Sequence, residues 1–305
     1  MYSLCDIFIS DVCPMFVSFP EIRDVGRDEH VIGVTKLRNE IYVLCLSYPV
    51  SVIRVFDDRN SLSHEGNIDL RYIQFAFDIG SSKKDNCLYV SDFDEKCVWK
   101  ITREAENKYK ITIWLTIDYK PMTLSVNSDG QLMLIKVPSS ILMIYGSEAE
   151  LLHSIQLNSG IEVPRHALET SAGNFIILHQ CVKRDEELEI GSSGRKWWVI
   201  SEVTRDGQMV IRRFVPSVQT QSFNNPSYLT LDSNDRVFVA DFGNSRVIVL
   251  EATLKWSRIL CSVKEKDNDE KNRIRCLCFD EENKRLYVGG DRYSRGNLPC
   301  LVRRP

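Results

Sequence analysis

Short runs in which apolar and polar residues alternate recur along the chain, and polar turns separate them. The stretch NNPSYLTLDSNDRVFVADFGNSRVIVL, from Asn224 to Leu250, holds three such runs and two turns. Alternation with a period of two places every second side chain on the same face of a strand. Asp, Asn and Gly, which favour turns, fill the gaps between the runs. The stretch therefore predicts three consecutive antiparallel strands.

The same order of strands and turns recurs six times. It is clear in Leu70–Ile101 and in Ile274–Val302. Weaker copies start at Val31, Pro121 and Pro164. The second strands of the six copies are anchored at Ile41, Leu88, Leu132, Phe175, Val237 and Leu286. Successive anchors lie about 45 residues apart, and the one longer interval contains a charged, Gly/Ser-rich insertion, Lys183–Lys196, which we expect to be a surface loop.

Each copy leaves room for a fourth strand, for example Tyr109–Ile117 and Gly207–Val215. Six units of four strands predict an all-β fold, a six-bladed β-propeller with four antiparallel strands in each blade. One blade is too small to bury both of its faces, so neighbouring blades must cover each other. We therefore expect a single propeller domain over residues 1–305.

The last copy reaches Pro305 after only three strands. A blade that lacked its last strand would expose an unpaired edge. Two strand-like segments precede the first copy: CDIFIS, which starts at Cys5, and MFVSF, which starts at Met15. We predict that one of these N-terminal strands joins the last blade and closes the ring.

The pattern P-x-x-L-x-L-D, VFVAD and GNSRVIVL, between Pro226 and Leu250, resembles the NHL repeat. The resemblance is good also around Leu88, fair around Leu286 and weak in the other copies. Taken over the whole chain, it implies a six-bladed NHL-like propeller. In animals such propellers often end tripartite-motif ubiquitin ligases. This chain lacks the RING, B-box and coiled-coil parts, so the resemblance does not imply ligase activity.

Charge and cysteine content limit the kinds of partner and the cellular compartment that the sequence favours. The net charge of −3 points to neither nucleic acid nor membrane as a partner of the whole surface. Most of the ten cysteines lie in apolar strand-like runs, and Cys87 and Cys97 flank a hairpin too far apart to bond. We expect reduced thiols, no disulfides, no membrane association and a cytoplasmic location.

Carboxylates and histidines offer little sign of catalysis. Asp92 and Asp241 end second strands, where an Asp side chain caps the turn that follows, and the NHL repeat has Asp at that place. The five histidines form no HxH or HExxH pair. His166 is expected in a loop at the central channel, and His179 at the end of a buried strand. We interpret the two Asp residues as structural.

An enzyme is the second alternative to consider. Some six-bladed relatives are calcium-dependent lactonases and esterases, and others are lyases in peptide amidation. The resemblance to the calcium group implies Asn225 and Asp241 as two ligands. The corresponding inner loops of other blades carry Tyr72, Lys120, Arg165 and Arg275. Because cations near the axis would repel calcium, we expect no metal, no cofactor and no catalytic residue.

The loops into the first strands and those between second and third strands should share one face of a propeller. These loops are rich in arginine and aromatic residues. The residues expected to form this binding face are Arg71, Tyr72, Tyr119, Lys120, Arg165, His166, Asn225, Tyr228, Arg246, Arg273, Arg275, Arg292 and Tyr293.

This composition suits two kinds of partner. Tyr, Trp and Arg dominate protein-binding hot spots. Cations that track phosphates and rings that stack on bases suit single-stranded RNA, and NHL propellers of tripartite-motif proteins use this face for RNA. We expect a recognition or scaffold module for a protein partner, with single-stranded RNA binding as the first alternative and a metal-dependent hydrolase or lyase at the channel as the second.

Overall fold

A computed structural model describes residues 5–8, 30–46, 50–59, 62–105, 108–182, 196–216, 222–262 and 271–293. In these ranges the strands form six antiparallel sheets, five of four strands and one of three. Each four-stranded sheet is a meander whose strands follow chain order.

The first sheet comprises β2 (His30–Leu37), β3 (Glu40–Leu46), β4 (Val52–Asp57) and β5 (Ser63–Asp69). The second comprises β6 (Ala76–Ser82), β7 (Cys87–Asp92), β8 (Cys97–Ala105) and β9 (Lys108–Thr116). The third comprises β10 (Leu124–Val126), β11 (Leu132–Lys136), β12 (Ile141–Tyr145) and β13 (Leu151–Gln156).

The fourth sheet comprises β14 (Glu162–Glu169), β15 (Phe175–Val182), β16 (Lys196–Val203) and β17 (Val210–Phe214). The fifth comprises β18 (Tyr228–Leu231), β19 (Val237–Asp241), β20 (Arg246–Leu250) and β21 (Ser257–Ser262). The last sheet has the order β1 (Cys5–Phe8), β23 (Arg285–Tyr293), β22 (Lys271–Asp280).

Burial changes from the inside of each sheet to the outside. Every residue of the second strands β7 and β19 is buried. The fourth strand β13 is almost wholly exposed. A strand buried on both faces reads as a nearly continuous apolar run, as in CLYVSD and VFVAD. Every predicted second-strand anchor lies in a second strand of a sheet.

The first strands of neighbouring sheets contact each other in the order β2, β6, β10, β14, β18, β22, and β22 in turn contacts β2. Apolar clusters fill the spaces between the sheets. At the contact of the first and last sheets, Val31 and Ile41 pack with Cys276 and Tyr287. A Cβ on Gly289 would lie 2.5 Å from Cys276 Sγ and 2.6 Å from Val31 Cγ1, so only glycine permits this approach.

We call the contact between the first and last sheets the seam. A buried ionic network crosses it. Lys36 Nζ lies 2.7 Å from Asp58 Oδ2 and 2.5 Å from Asp280 Oδ2. Asn283 donates to both carboxylates at 2.8 Å, and the Tyr287 hydroxyl donates to Asp58. Burial disfavours the Lys36 charge, but the hydrogen bonds to Asp280 and Asp58 raise the pKa of Lys36 overall. The network therefore ties the first sheet to the last.

The expectation of six four-stranded blades is not met, because the described residues form five such blades and a three-stranded sheet. In that sheet β1 pairs directly with the second strand, with Ile7 opposite Leu286. The sequence predicts that an N-terminal segment supplies the fourth strand of the last blade, and β1 does join that sheet, but beside its second strand. This pairing satisfies backbone groups at the edge of β23. Met15–Phe19 and residues 294–305 lie outside the described residues.

The cysteines whose side chains are described form no disulfide with one another. In the second sheet Cys97 lies opposite Asp92 and Cys87 opposite Thr102, which separates the two thiols along β7 and β8. Within the described ranges, no helix has the length and apolar character to cross a membrane.

Candidate functional site

In the described parts of the chain, the loops before the first strands and the turns after the second strands lie at one end of the sheets, which we call the upper face. Asp92 at the end of β7 holds two of these segments together. Its carboxylate accepts hydrogen bonds from the backbone N–H groups of Gln74 and Phe75 at 3.1 and 3.3 Å. It also accepts bonds from the N–H groups of Asp94 and Glu95. The side chain is a loop cap, as the sequence predicts.

Asp241 has the same place in the fifth sheet. Its carboxylate accepts the Asn224 N–H at 2.8 Å and the Asn244 side chain at 2.8 Å. Arg246 Nε donates to it at 2.7 Å, and both side chains are buried. Burial raises the pKa of Asp241, although these three donors oppose the shift. Arg246 therefore stabilises a loop and does not add an exposed cation to the upper face.

Two other candidates also lie in the interior. Tyr119 is 7% exposed, and Lys136 lies over its ring. His166 is in strand β14 rather than in a loop, and it is 1% exposed. Its Nδ1 accepts the Leu229 N–H, and its Nε2 donates to the Leu124 carbonyl, both at 3.3 Å. Burial lowers the pKa of His166 to about 4, so the ring is uncharged at neutral pH. Its two hydrogen bonds connect the fourth sheet to the third and fifth sheets.

The outer part of the upper face carries exposed candidates. Tyr72 is 70% exposed, and its neighbour Arg71 donates from Nε to Asp69 at 3.0 Å. Lys120 Nζ lies 3.2 Å from Asp94 and 4.2 Å from the centre of the Phe93 ring. These cations are exposed but partly balanced by acids.

Nearer the axis, three arginines lie over aromatic rings. The guanidinium carbon of Arg165 is 4.3 Å from the centre of a Trp198 ring. That of Arg273 is 5.1 Å from Phe242, and that of Arg275 is 5.7 Å from Phe77. Phe77 also stacks on Phe93 at 5.8 Å. The upper face thus combines cations and rings around its centre.

A cavity of about 200 Å³ lies at this centre, and we call it the mouth cavity. First strands and the loops before them in all six sheets contribute to its wall. Its polar lining includes Asp78, Arg165, Asn225, Tyr228 and Arg275, and its apolar lining includes Ile32, Phe77, Met122 and Phe242. Four of the residues predicted from sequence therefore meet in one cavity.

Arg165 is fixed on one side of the mouth cavity. Its Nη1 donates to Asn225 Oδ1 and to the Pro226 carbonyl, both at 2.7 Å. Burial and the neighbouring Arg275 guanidinium lower the pKa of Arg165 from its usual range. Asn225 holds a left-handed backbone conformation, with φ of 51°, which Asn tolerates better than most residues.

Asp78 and Tyr228 form the floor of the mouth cavity. Asp78 is 1% exposed, and its carboxyl accepts the N–H groups of Ile79 at 2.8 Å and Leu124 at 2.9 Å. Burial raises the pKa of Asp78 to about 8, although these bonds and Arg275 oppose the shift. Tyr228 stacks on His166 at 4.3 Å, and burial and the nearby Asp78 raise its pKa.

The sequence did not point to Asp78, Phe77, Trp198 or Phe242. Each lies in or beside a strand whose alternation predicts a core position. Only the packing of the first strands against one another shows that these side chains lie at the site. Arg292 and Tyr293 lie in β23, but their side chains are outside the described set, as is most of the insertion at residues 183–195. Among the described residues, no three His, Cys, Asp or Glu side chains are placed to hold a metal ion.

Comparison with known proteins supports the fold. A family model of the NHL repeat matches residues 223–250. A search among curated proteins finds no match to this sequence. The chain therefore carries an NHL repeat within a β-propeller.

Solved structures similar to this chain have diverse roles. A gluconolactonase from Xanthomonas campestris matches with a TM-score of 0.52 at 10% identity, over 80% of either chain. Virginiamycin B lyase from Staphylococcus aureus matches with 0.54 at 10% identity, over 95% of this chain and 99% of that one. A chain of the nidogen/laminin complex matches with 0.56 at 9% identity, over 84% and 90%. At such identities the likeness shows the fold alone.

Proposed function

We propose that this β-propeller with an NHL repeat is a recognition module that binds a protein partner through its upper face and catalyses no reaction. The observation that carries the proposal is the mouth cavity, around which Arg165, Arg273 and Arg275 lie over aromatic rings. Arg and aromatic side chains are enriched in the centres of protein interfaces, where they anchor a partner in a desolvated pocket.

The rigidity of this surface favours binding as well. Asp92 and Asp241 hold the loops through hydrogen bonds, and Arg165 is fixed by Asn225. A surface ordered before it binds loses less conformational entropy when a partner docks. The proposal therefore assigns the caps an indirect role, since they keep the upper face in one shape.

We also propose that the six sheets form one closed ring over residues 1–305, with β1 completing the last blade. This is supported by the contact of β22 with β2, the Lys36 network across the seam and the pairing of β1 with β23. A cytoplasmic location stays a prediction.

Single-stranded RNA is the second candidate partner. Lys120 and Arg71, both exposed on the outer upper face, favour it because they could follow a phosphate backbone. Each is already paired with an acid, Asp94 or Asp69, which weakens its attraction for phosphate. A hydrolase or lyase is a third candidate because a gluconolactonase and a lyase share the fold. The two arginines in the mouth cavity disfavour a calcium-dependent reaction there.

Quantitative affinity capture tests the proposal. Baits are the unaltered protein, an upper-face variant with Arg165→Gln and Arg275→Gln, and a control variant with Lys83→Gln and Lys284→Gln. Both lysines are exposed and lie in turns at the opposite end of the sheets, so the charge change is matched. We expect proteins that bind the unaltered chain and the control but not the upper-face variant. Capture that is equal on all three baits would contradict the proposal.

A salt titration separates RNA from protein. A labelled, randomised single-stranded RNA pool is titrated at several salt concentrations against the same three proteins. Binding that weakens with salt and is lost in the upper-face variant would favour RNA over protein. We expect no such binding even at low salt, where phosphate attraction is strongest.

A further inference from the structure

The charge in the mouth cavity points to the chemistry of its ligand. Arg165 and Arg275 line the same cavity, and their proximity contributes to the lowered pKa of Arg165. The carboxyl group in the lining is that of Asp78, whose pKa burial raises to about 8. At neutral pH most Asp78 side chains are therefore protonated and do not balance the two cations. The described side chains that line the cavity therefore carry more positive than negative charge, which favours an anion as ligand.

The size of the mouth cavity limits that anion to a small group. Its volume of about 200 Å³ lies below the range of roughly 300–1,000 Å³ that is usual for small-molecule and cofactor pockets. One side chain fits, whereas a nucleotide or a drug-sized substrate does not. The apolar lining by Ile32, Phe77 and Met122 suits the methylene groups that precede a terminal charge.

The donor geometry suits a carboxylate. Both hydrogen bonds of Arg165 leave from Nη1, and within the described residues Nε and Nη2 have no acceptor. A guanidinium that stacks on a ring, as Arg165 does on Trp198, keeps its edge for the paired hydrogen bonds that a carboxylate accepts. The apolar lining by Ile32, Phe77 and Met122 favours a carboxylate at the end of methylene groups over a phosphate, whose oxygens are polar on all sides.

A peptide fits this surface better than RNA. Bases need open ring faces on which to stack. At the centre of the upper face, Trp198, Phe242 and Phe77 each have a cation over one face of the ring.

We infer that the mouth cavity is a subsite for one acidic side chain of a partner peptide, whose carboxylate is held between Arg165 and Arg275. The inference rests on the proposed function, because it names the group by which a protein partner engages the upper face.

Three peptide libraries on beads test the inference with the unaltered protein. The central position is fixed as Glu, Gln or phosphoserine, and the flanking positions are randomised. We expect selected Glu peptides to bind about tenfold or more tightly than their Gln counterparts, since hydrogen bonds between charged groups exceed neutral ones by that order. Equal affinity for Glu and Gln, tighter binding of phosphoserine, or no bound Glu peptide would each overturn the inference.

Variants locate the subsite. The Glu preference should disappear in the variant with Arg165→Gln and Arg275→Gln and persist in the control with Lys83→Gln and Lys284→Gln. Thermal unfolding of each variant shows whether it is folded, and the comparison of Glu with Gln peptides needs no variant. If partner capture depends on the upper face but Glu and Gln peptides bind equally, only the subsite is wrong. If capture does not depend on that face, the proposed function itself fails.

Discussion

Burial moves the pKa values of Asp78 and His166 in opposite directions. The Asp78 carboxyl has its pKa raised to about 8, and the His166 ring has its pKa lowered to about 4. Both groups are therefore mainly uncharged at neutral pH, as a poorly solvated interior favours. Together with Tyr228 they support Arg165 and Arg275 without adding a charge of their own. At the scale of single residues, the site therefore consists of two cations, Arg165 and Arg275, packed above side chains that are uncharged at neutral pH.

The stability of the protein should reflect Asp78. Folding makes Asp78 bind a proton between its ordinary pKa and about 8, so the free energy of unfolding falls by up to about 1.4 kcal/mol per pH unit as pH rises through that range. The lowered pKa of His166 acts in the other direction, but only below its ordinary value of 6.5. We therefore expect stability to decline from pH 6.5 to 8.

Asp78→Asn should remove most of this decline, whereas Asp94→Asn, on the exposed upper face, should leave it unchanged. Arg275 and Tyr228 face the same carboxyl, but burial dominates the shift. Urea unfolding at several pH values checks this. An equal slope in the Asp78 variant and the unaltered protein would contradict the assignment.

The caps give a second prediction at this scale. Asp92→Ala leaves the N–H groups of Gln74 and Phe75 without their acceptor. These hydrogen bonds are partly buried, and a hydrogen bond to a charged group contributes about 1.5–3 kcal/mol, so the free energy of unfolding should fall by at least about 1.5 kcal/mol. Asp94→Ala should change it by less than about 0.5 kcal/mol, as is usual at exposed sites. Denaturant unfolding of both variants measures these free energies. Similar losses in the two variants would show that Asp92 does not cap the loop.

At the scale of strands, alternation and turn residues were sufficient to locate the second strand of each sheet. Leu88 and Val237 lie in strands because the residues next to them in sequence are apolar or alternate between apolar and polar, which is a local property. The site, by contrast, depends on contacts between residues that are distant in sequence. His166 was expected in a loop and Arg246 on the surface, and both are buried by contacts with residues from other strands or loops. The sequence therefore predicted that Arg165, Asn225, Tyr228 and Arg275 belong to the upper face. It did not predict that Asp78 lies below them.

The seam gives a prediction for the contact between the first and last sheets. Lys36→Ala would leave Asp58 and Asp280 buried without their shared cation. Breaking a buried ion pair by removing one partner costs about 3–5 kcal/mol. Lys83→Ala, at an exposed pair with Glu282, should cost about 0–1 kcal/mol. Equal stability of the two variants would argue against a network that joins the sheets.

At the scale of the whole molecule, the arrangement of the sheets creates a site that no single sheet contains. The mouth cavity takes residues from first strands, or the loops before them, of all six sheets. Its shape therefore depends on how completely the sheets close on each other. The seam joins the first sheet to the last, and within the last sheet β1 pairs with β23.

Removal of residues 1–10, which include β1, should lower the unfolding temperature by a few degrees, because the edge of β23 loses its partner strand. Replacement of the same residues by a Gly/Ser segment of equal length should lower it equally, which separates strand pairing from chain length. Scanning calorimetry measures both. An unchanged unfolding temperature would contradict a closing role for β1.

The most direct test of recognition at the mouth is the affinity of a captured partner, measured by calorimetry for three proteins: the unaltered chain, the Arg165→Gln and Arg275→Gln variant, and the Lys83→Gln and Lys284→Gln variant. We expect the upper-face variant to bind at least about tenfold more weakly, because charged contacts at the centre of an interface are worth more than 1.4 kcal/mol, and the control to bind as the unaltered chain does. Equal affinities of all three, with all three folded, would contradict recognition through the mouth cavity.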